Sequence, residues 1–150
     1  MSVRLADHEA WDVLGSSHTG ILTSLRRDGG PVSLPVWFVV DDRAVLVAGP
    51  ASSYKFARLR RDPRVAFLVE SGEAWAELLA VHLIGRAEIV EQPDWESVDR
   101  LFDAKYAAFR TPREKMPASA RDGYDGARSL VRLTPTERLL TWDNQRLEQR

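Results

Sequence analysis

The stretch HTGILTSLRRDGGPVSLPVWFVVDDRAVLVA, which runs from His18 to Ala48, decides the fold. Its segment His18–Leu25 is rich in β-branched and apolar residues, and apolar side chains alternate along Val32–Val40, so both segments are predicted strands. The tetrapeptide Arg27-Asp28-Gly29-Gly30 between them is typical of a hairpin turn, because glycine adopts positive φ without steric cost. The stretch therefore predicts an antiparallel β-hairpin.

The second strand of this hairpin carries two further signals. Its intervening positions, which include Pro35 and Trp37, are also partly apolar, and this pattern favours a strand covered on both faces. Proline has no N–H to donate to a strand ladder, so Pro35 predicts an edge strand or a bulge. The polar Asp41-Asp42-Arg43 then turns the chain into a third strand, Ala44–Ala48.

Strands dominate the remainder of the chain as well. The other predicted elements are a helix at Leu5–Leu14 capped by Asp7, a short helix at Tyr54–Arg61, strands at Arg64–Glu70 and Trp75–Val90 with a bend or bulge at Gly85, a long helix from Pro93 to about Arg110, a loop at Thr111–Gly126, and strands at Ser129–Leu133 and Glu137–Trp142. This order favours a mainly β, α+β fold, an antiparallel barrel with peripheral helices, in a single domain over residues 1–150.

Composition narrows the classes of function. The 21 Lys and Arg against 22 Asp and Glu give a net charge of −1, which argues against a nucleic-acid partner, since such proteins usually carry a basic excess. Cysteine is absent and the three histidines have no ligand spacing, so no metal site is expected. No apolar run reaches the roughly 20 residues that span a bilayer, and the N-terminus lacks a signal-peptide core. A cytoplasmic protein without a membrane partner is expected.

The segment Gly49-Pro50-Ala51-Ser52-Ser53-Tyr54-Lys55 carries the most specific chemical signal. A helix N-terminus has unpaired N–H groups and the positive end of the helix dipole, so Lys55 is locally unfavourable there without an anion. Two hydroxyls, free amides and an ammonium group could together cradle a phosphate. The alternative interpretation is a solvated lysine beside an ordinary serine cap.

Four arginines, Arg58, Arg60, Arg61 and Arg64, follow this segment. They could extend an anion site towards a longer polyanionic ligand, or they could be a favourable arrangement of cations at a helix C-terminus with partners such as Asp62. No catalytic nucleophile, base or carboxylate pair stands out in the sequence, so if the chain is an enzyme we expect a bound cofactor to bring the chemistry. Trp37 and Trp142 could stack on a planar ligand or belong to a core or interface.

The order and spacing of several segments resemble the pyridoxamine 5′-phosphate oxidase-like split β-barrel family. The resemblance rests on Gly20–Leu25, the Asp28-Gly29 turn, Leu34–Phe38, Ser53-Tyr54-Lys55 and Leu59–Val65. It is greatest to the flavin and deazaflavin (coenzyme F420) oxidoreductase branch. It implies a homodimer with the cofactor at the subunit interface. The cofactor-binding residues that it implies are Leu34, Pro35, Val36, Trp37, Ala48, Gly49, Pro50, Ser53, Lys55, Arg60 and Trp142.

The function that this resemblance implies is an F420-dependent reductase, which transfers a hydride from reduced deazaflavin to a small organic acceptor. The phosphate and anionic tail of F420 would then lie on Lys55 and the Arg58–Arg64 cluster. One alternative is an FMN-binding oxidoreductase on the same fold, and another is a non-enzymatic binder of flavin, F420 or haem. Ala80 stands where true pyridoxamine phosphate oxidases have glutamine, so vitamin B6 oxidation is not expected. Residues of the 111–126 segment are expected to line the substrate pocket.

Overall fold

The architecture is an antiparallel sheet curled into a split barrel, with helices on its outside. A computed structural model describes residues 2–147, apart from the side chain of Tyr124. The strands are β1 (Gly20–Leu25), β2 (Pro31–Val36), β3 (Val39–Asp41), β4 (Ala44–Pro50), β5 (Arg64–Ser71), β6 (Leu79–Ile89), β7 (Arg128–Pro135) and β8 (Leu140–Asp143). Their order is β2-β1-β5-β6-β7-β4-β3, and β8 also pairs with β6. The predicted mainly β split barrel is confirmed.

The first hairpin forms as the glycine pattern predicts. Gly29 has a φ of 84°, and the N–H of Arg26 donates to the carbonyl of Gly30 at 2.8 Å. The strand that follows ends earlier than expected, because the chain leaves the ladder at Trp37 and Phe38 and resumes as the separate strand β3. Since β2 is the last strand on its side of the sheet, the edge position predicted from Pro35 is confirmed.

The outward face of β2 is open within this chain. Ser33, Pro35 and Trp37 are exposed, whereas Val36 and Phe38 are buried. The prediction that this strand is covered on both faces is therefore wrong for the described chain, because apolar character alone does not reveal on which side the barrel closes.

The helices are α1 (Asp7–Ser16), α2 (Tyr54–Arg61), α3 (Trp95–Tyr106) and α4 (Ala118–Asp125). The first helix begins and ends later than predicted, and Ala6 rather than Asp7 occupies the N-cap position. The region from 111 to 126, predicted as a loop, contains a 3-10 turn at Arg113–Lys115 and α4. Its two prolines and two glycines suggested a loop, but Pro117 stands at the N-cap and Gly126 at the C-cap of α4, where they do not interrupt it.

The long strand β6 organises the second half of the sheet. It starts at Leu79 rather than Trp75, because Trp75–Glu77 forms a 3-10 turn. Gly85 lies where the partner of β6 changes from β8 to β7, and its pairing with β5 runs through without a bulge. A Cβ at this position would lie 2.2 Å from the carbonyl oxygen of Thr134, so the glycine allows close approach of two backbones.

Two apolar clusters fill the molecule. The larger one occupies the barrel interior and includes Phe38, Phe56 and Phe67. In the smaller one, Val98 and Tyr106 of α3 pack together with Val39, Leu46 and Leu130 of the strands β3, β4 and β7. This second cluster fixes α3 against the sheet beside the ends of β2 and β4.

Candidate functional site

A cleft of about 840 Å³ opens between the ends of β2 and β4, the start of α2, and α3 with the segment that follows it. The size lies within the range typical of small-molecule and cofactor sites. Its lining residues are Pro35, Val36, Trp37, Val47, Ala48, Gly49, Pro50, Lys55, Asp99, Phe102, Asp103, Arg110, Thr111, Arg113, Met116 and Arg128.

Seven of the eleven residues expected at the cofactor site line this single cleft. They are Pro35, Val36, Trp37, Ala48, Gly49, Pro50 and Lys55. Two separate strand ends supply six of them, because β2 and β4 both finish beside the start of α2. The fold therefore brings together segments that are up to 20 positions apart in the sequence.

Lys55 forms one end of the cleft. Its ammonium Nζ donates a hydrogen bond to Ser53 Oγ at 3.3 Å and lies 5.1 Å from the centroid of the Phe56 ring. A Cβ on Gly49 would lie 3.4 Å from this Nζ, so the glycine leaves open the space into which the ammonium group reaches. Ser53 is the N-cap residue of α2, but its hydroxyl makes no capping bond and instead accepts from Lys55.

The charge on Lys55 has no acidic counterpart in the described part of the chain. Each salt bridge between described residues involves an arginine, and none involves Lys55. Burial of the side chain, together with the neighbouring positive charge of Arg58, lowers the pKa of Lys55. A half-buried cation at the positive end of a helix is unfavourable by itself, and an anion in the cleft would relieve it.

The arginines of α2 have other partners. Arg58 Nε donates to the buried Ser24 hydroxyl at 2.9 Å, and Arg61 donates to the carbonyl of Leu25 at 2.8 Å. Arg60 faces Glu91 at 3.6 Å, and Arg64 pairs with Asp62 at 2.8 Å, which together with a backbone bond lowers the pKa of Asp62 to about 2. The polyanion interpretation of this cluster is not supported, because these side chains tie α2 to β1 and to surface carboxylates outside the cleft lining.

The other predicted cofactor residues lie outside the lining. Leu34 packs partly against the barrel core, and Ser53 contributes through its bond to Lys55. Arg60 is turned towards Glu91. Trp142 lies on β8, opposite Ala80 of β6, and is 38% exposed. Within one chain, Arg60 and Trp142 therefore do not reach the cleft.

Trp37, which lines the cleft, is surrounded by further aromatic side chains. The Trp37 and Tyr106 rings stack at 4.4 Å with an angle of 5° between their planes. The His18 ring lies edge-on to Trp37 at 5.9 Å and to Phe109 at 4.5 Å. Since Trp37 is still 36% exposed and Tyr106 covers one of its faces, the other face can contact a planar ligand.

Tyr106 and Lys105 of α3 hold the break between β2 and β3 in place. The Tyr106 hydroxyl accepts from the Phe38 N–H at 2.9 Å and lies 2.8 Å from the Phe38 carbonyl and 2.7 Å from the His18 carbonyl, to one of which it donates. Lys105 Nζ donates to the same Phe38 carbonyl at 2.9 Å and lies 3.7 Å from the Phe38 ring centroid. These bonds satisfy backbone groups that leave the ladder where Trp37 turns outward.

Burial lowers the pKa of Lys105 from its ordinary value of 10.5 to about 8. Between these two values the unfolded chain keeps the proton that the folded chain releases, so the Lys105 contribution to stability increases as pH rises through this window. We expect the difference in unfolding free energy between the wild type and Lys105→Met to grow from pH 8 to pH 10, as measured by urea denaturation. A difference that stays constant or shrinks would show that the lysine is not desolvated.

About half of the residues that line the cleft were not predicted individually from the sequence. Asp99 and Asp103 come from one face of α3, and Arg110, Arg113 and Arg128 come from the segments after it. Asp99 pairs with Arg128 at 2.8 Å, and Asp103 pairs with Arg110. Arg128 lies opposite Pro50 in the ladder between β4 and β7, which brings it to the Lys55 end. No local motif marks these residues, although the 111–126 segment was expected to line a pocket and supplies Thr111, Arg113 and Met116.

Among residues 2–147, no group of three His, Asp or Glu side chains is placed to hold a metal ion. None of the described helices is long and apolar enough to cross a membrane.

An antiparallel split barrel with a cleft beside an outward-turned strand end places this chain among the mainly β, α+β proteins. The family model for pyridoxamine 5′-phosphate oxidase matches residues 6–142. The conserved hypothetical protein Rv2991 from Mycobacterium tuberculosis is 30% identical and superposes with a TM-score of 0.78, over 99% of this chain and 91% of that chain. The chain belongs to the pyridoxamine 5′-phosphate oxidase-like split-barrel family.

Two more distant structures share the fold. One is an FAD-binding protein from Mesorhizobium loti, with 19% identity, a TM-score of 0.63, and coverage of 89% of this chain and 90% of that chain. The other is a haem-binding protein from Mycobacterium smegmatis, with 19% identity, a TM-score of 0.64, and coverage of 95% of this chain and 60% of that chain. At these identities the similarity concerns the fold alone.

Proposed function

We propose that this chain is a flavin-dependent oxidoreductase that holds FMN in the cleft, with the phosphate at Lys55. The observation that carries the proposal is a half-buried ammonium group at the N-terminus of α2, which lines the cleft and has no carboxylate partner among the described residues. Family membership and the flavin bound by the M. loti relative support the same ligand class.

The residues present fit a flavin at both ends. Lys55, Ser53 and the first N–H groups of α2 form a phosphate site, and Gly49 leaves it open. Pro35, Val36 and Trp37 supply an apolar and aromatic wall for a planar ring. A bound flavin supplies the exchange of electrons with an organic acceptor, while the chain binds the flavin, orients it and shields it from water.

FMN is preferred over F420 because of the partners that the Arg58–Arg64 cluster binds. The F420 hypothesis depended on the Arg58–Arg64 cluster as the site for the anionic tail. Those arginines are bonded to Ser24, Leu25, Asp62 and Glu91 instead. A single phosphate requires only the Lys55 end of the cleft, where no such conflict arises.

A parallel titration with FMN and F420 tests the choice of cofactor. We expect saturable quenching of FMN fluorescence by the purified protein, and weaker binding of F420. A haem titration followed by visible absorption provides the third arm. Tighter binding of F420 than of FMN would restore the deazaflavin reductase, and binding of haem alone would establish the non-enzymatic alternative.

A homodimer that completes the cofactor site is part of this proposal. Leu140 and Trp142 on β8 are 47% and 38% exposed, so the chain carries an apolar strand that a second copy could cover. In such a dimer, Trp142 of one protomer would reach the cleft of its partner, as the family resemblance implies.

Sedimentation at micromolar concentration is expected to give twice the 16.9 kDa mass of one chain. Leu140→Asp should shift the protein towards monomer, because a carboxylate cannot be buried unpaired at an apolar interface. Arg86→Asp, a substitution at an exposed position of β6, serves as the control. A wild type that sediments only as monomer would contradict the dimer.

A further inference from the structure

The charge of the cleft differs from that of the chain as a whole. The chain carries a net charge of −1, whereas four basic and two acidic residues line the cleft and leave it with a net charge of +2. The basic ones are Lys55, Arg110, Arg113 and Arg128. A concave surface of one sign concentrates ligands of the opposite sign, so the cleft favours anions beyond the single phosphate at Lys55.

The three arginines of the cleft differ in how fully they are engaged. Arg113 binds both carboxylate oxygens of Asp125 through Nη1 and Nη2, each at 2.5 Å. Arg128 binds Asp99 in the same two-fold manner, at 2.8 and 3.2 Å, and stacks on Trp95. Arg110 gives only Nη1 to one oxygen of Asp103. Its Nη2 and Nε make no hydrogen bond to the described residues, so this guanidinium has donors to spare.

Arg110 lines the cleft and comes directly after an aromatic residue in the chain. It follows Phe109, whose ring is 4.5 Å from His18, and His18 in turn is 5.9 Å from Trp37. Phe109 and Trp37 are 60% and 36% exposed.

We propose that Arg110 binds the carboxylate of the acceptor, and that the acceptor is a small planar organic acid. This proposal rests on the proposed function, since it assigns the phosphate of the flavin to Lys55 and leaves Arg110 for the second ligand. A carboxylate matches the planar fork of an arginine, which presents two parallel N–H donors. The surface pair with Asp103, whose partners are 49% and 55% exposed, is weak enough for a ligand to share or replace.

If Arg110 binds a carboxylate, substitutions of the two partners of this ion pair should change the affinity for that carboxylate in opposite directions. Arg110→Gln removes the group that binds the ligand, so the affinity for an aromatic carboxylate should fall at least about tenfold. Asp103→Asn removes a competing carboxylate and frees Nη1, so the affinity should rise. If the pair served only to hold α3 against the following segment, both variants would change the protein in the same direction.

Benzoate and its neutral analogue benzamide are suitable probes, because they have the same planar shape and differ in charge. Each is titrated into FMN-loaded protein and followed through the flavin absorption spectrum. We expect benzoate to bind at least tenfold more tightly than benzamide, and Arg110→Gln to abolish this preference. Arg100→Gln, on the outer face of α3 beside Glu96, is the matched control.

The two proposals fail in different ways. If FMN does not bind, the proposed function is wrong, and benzoate binding followed by tryptophan fluorescence still tests Arg110. If FMN binds but benzoate and benzamide bind equally, or neither binds, the carboxylate assignment is wrong. The same conclusion follows if Arg110→Gln and Asp103→Asn shift benzoate affinity in the same direction.

Discussion

Lys55→Ala is expected to weaken FMN binding more than tenfold, which corresponds to at least about 1.4 kcal/mol. The substitution removes a cation that lines the cleft and leaves the N-terminus of α2 without its charged donor. Hydrogen bonds to charged groups contribute more than neutral ones, so the phosphate end should dominate the loss. Fluorescence titration with FMN measures the change, and riboflavin, which lacks the phosphate, should lose little affinity.

The matched control is Lys115→Ala, which removes the same charge from an exposed position. It should leave FMN affinity within about twofold, because long-range charge effects are screened at ordinary ionic strength. If Lys55→Ala binds FMN and riboflavin as the wild type does, the phosphate does not lie at α2. An equal loss in both lysine variants would point to net charge rather than to a specific site.

Tyr106→Phe is expected to destabilise the protein by about 1–3 kcal/mol, the usual cost of leaving a buried polar group unpaired. The Tyr106 side chain is fully buried, and its hydroxyl is the acceptor for the Phe38 N–H. The ring itself is retained, so the stacking on Trp37 provides no compensation for the lost bonds. Urea denaturation measures the stability, and FMN affinity should fall as well because the outward turn at Trp37 loses its anchor.

Tyr54→Phe deletes the same atom from a tyrosine that is 80% exposed. Exposed substitutions away from specific contacts usually change stability by less than about 0.5 kcal/mol. A similar effect of the two variants would mean that the Tyr106 hydroxyl does not hold the strand break. A stable Tyr106→Phe protein with unchanged FMN affinity would also contradict that role.

The positions of these strands and turns could be predicted from the sequence because they depend on residues that are neighbours in the chain. The Asp28-Gly29 turn, the edge position of Pro35 and the short helix at Tyr54–Arg61 all follow from local backbone preferences, and the structure confirms them. The break at Trp37 was not readable, because it depends on Tyr106, which is 68 positions away from Phe38. Apolar residues alternate on both sides of the break, so the sequence pattern predicts one continuous strand.

The predicted grouping of the arginines shows the same limit, because sequence proximity does not predict which side chains meet in space. Arg58, Arg60, Arg61 and Arg64 were grouped because they are close in sequence, yet their side chains bind different partners on different sides of the chain. Arg110 and Arg128 were not grouped with Lys55, although the fold brings all three to one cleft. Charge clusters in three dimensions depend on the path of the chain, which spacing along a sequence does not record.

The sequence by itself determined the class of fold, the family resemblance and the phosphate-site hypothesis at Lys55, because each depends on residue types and on the order of local patterns along the chain. Only the tertiary structure decided which side of β2 is open, which arginines face the cleft, and how α3 closes it. Those features arise from packing between elements far apart in the chain, such as Tyr106 against the break at Phe38 and Arg128 opposite Pro50. Local preferences cannot specify such contacts, since they form only after the strands have paired.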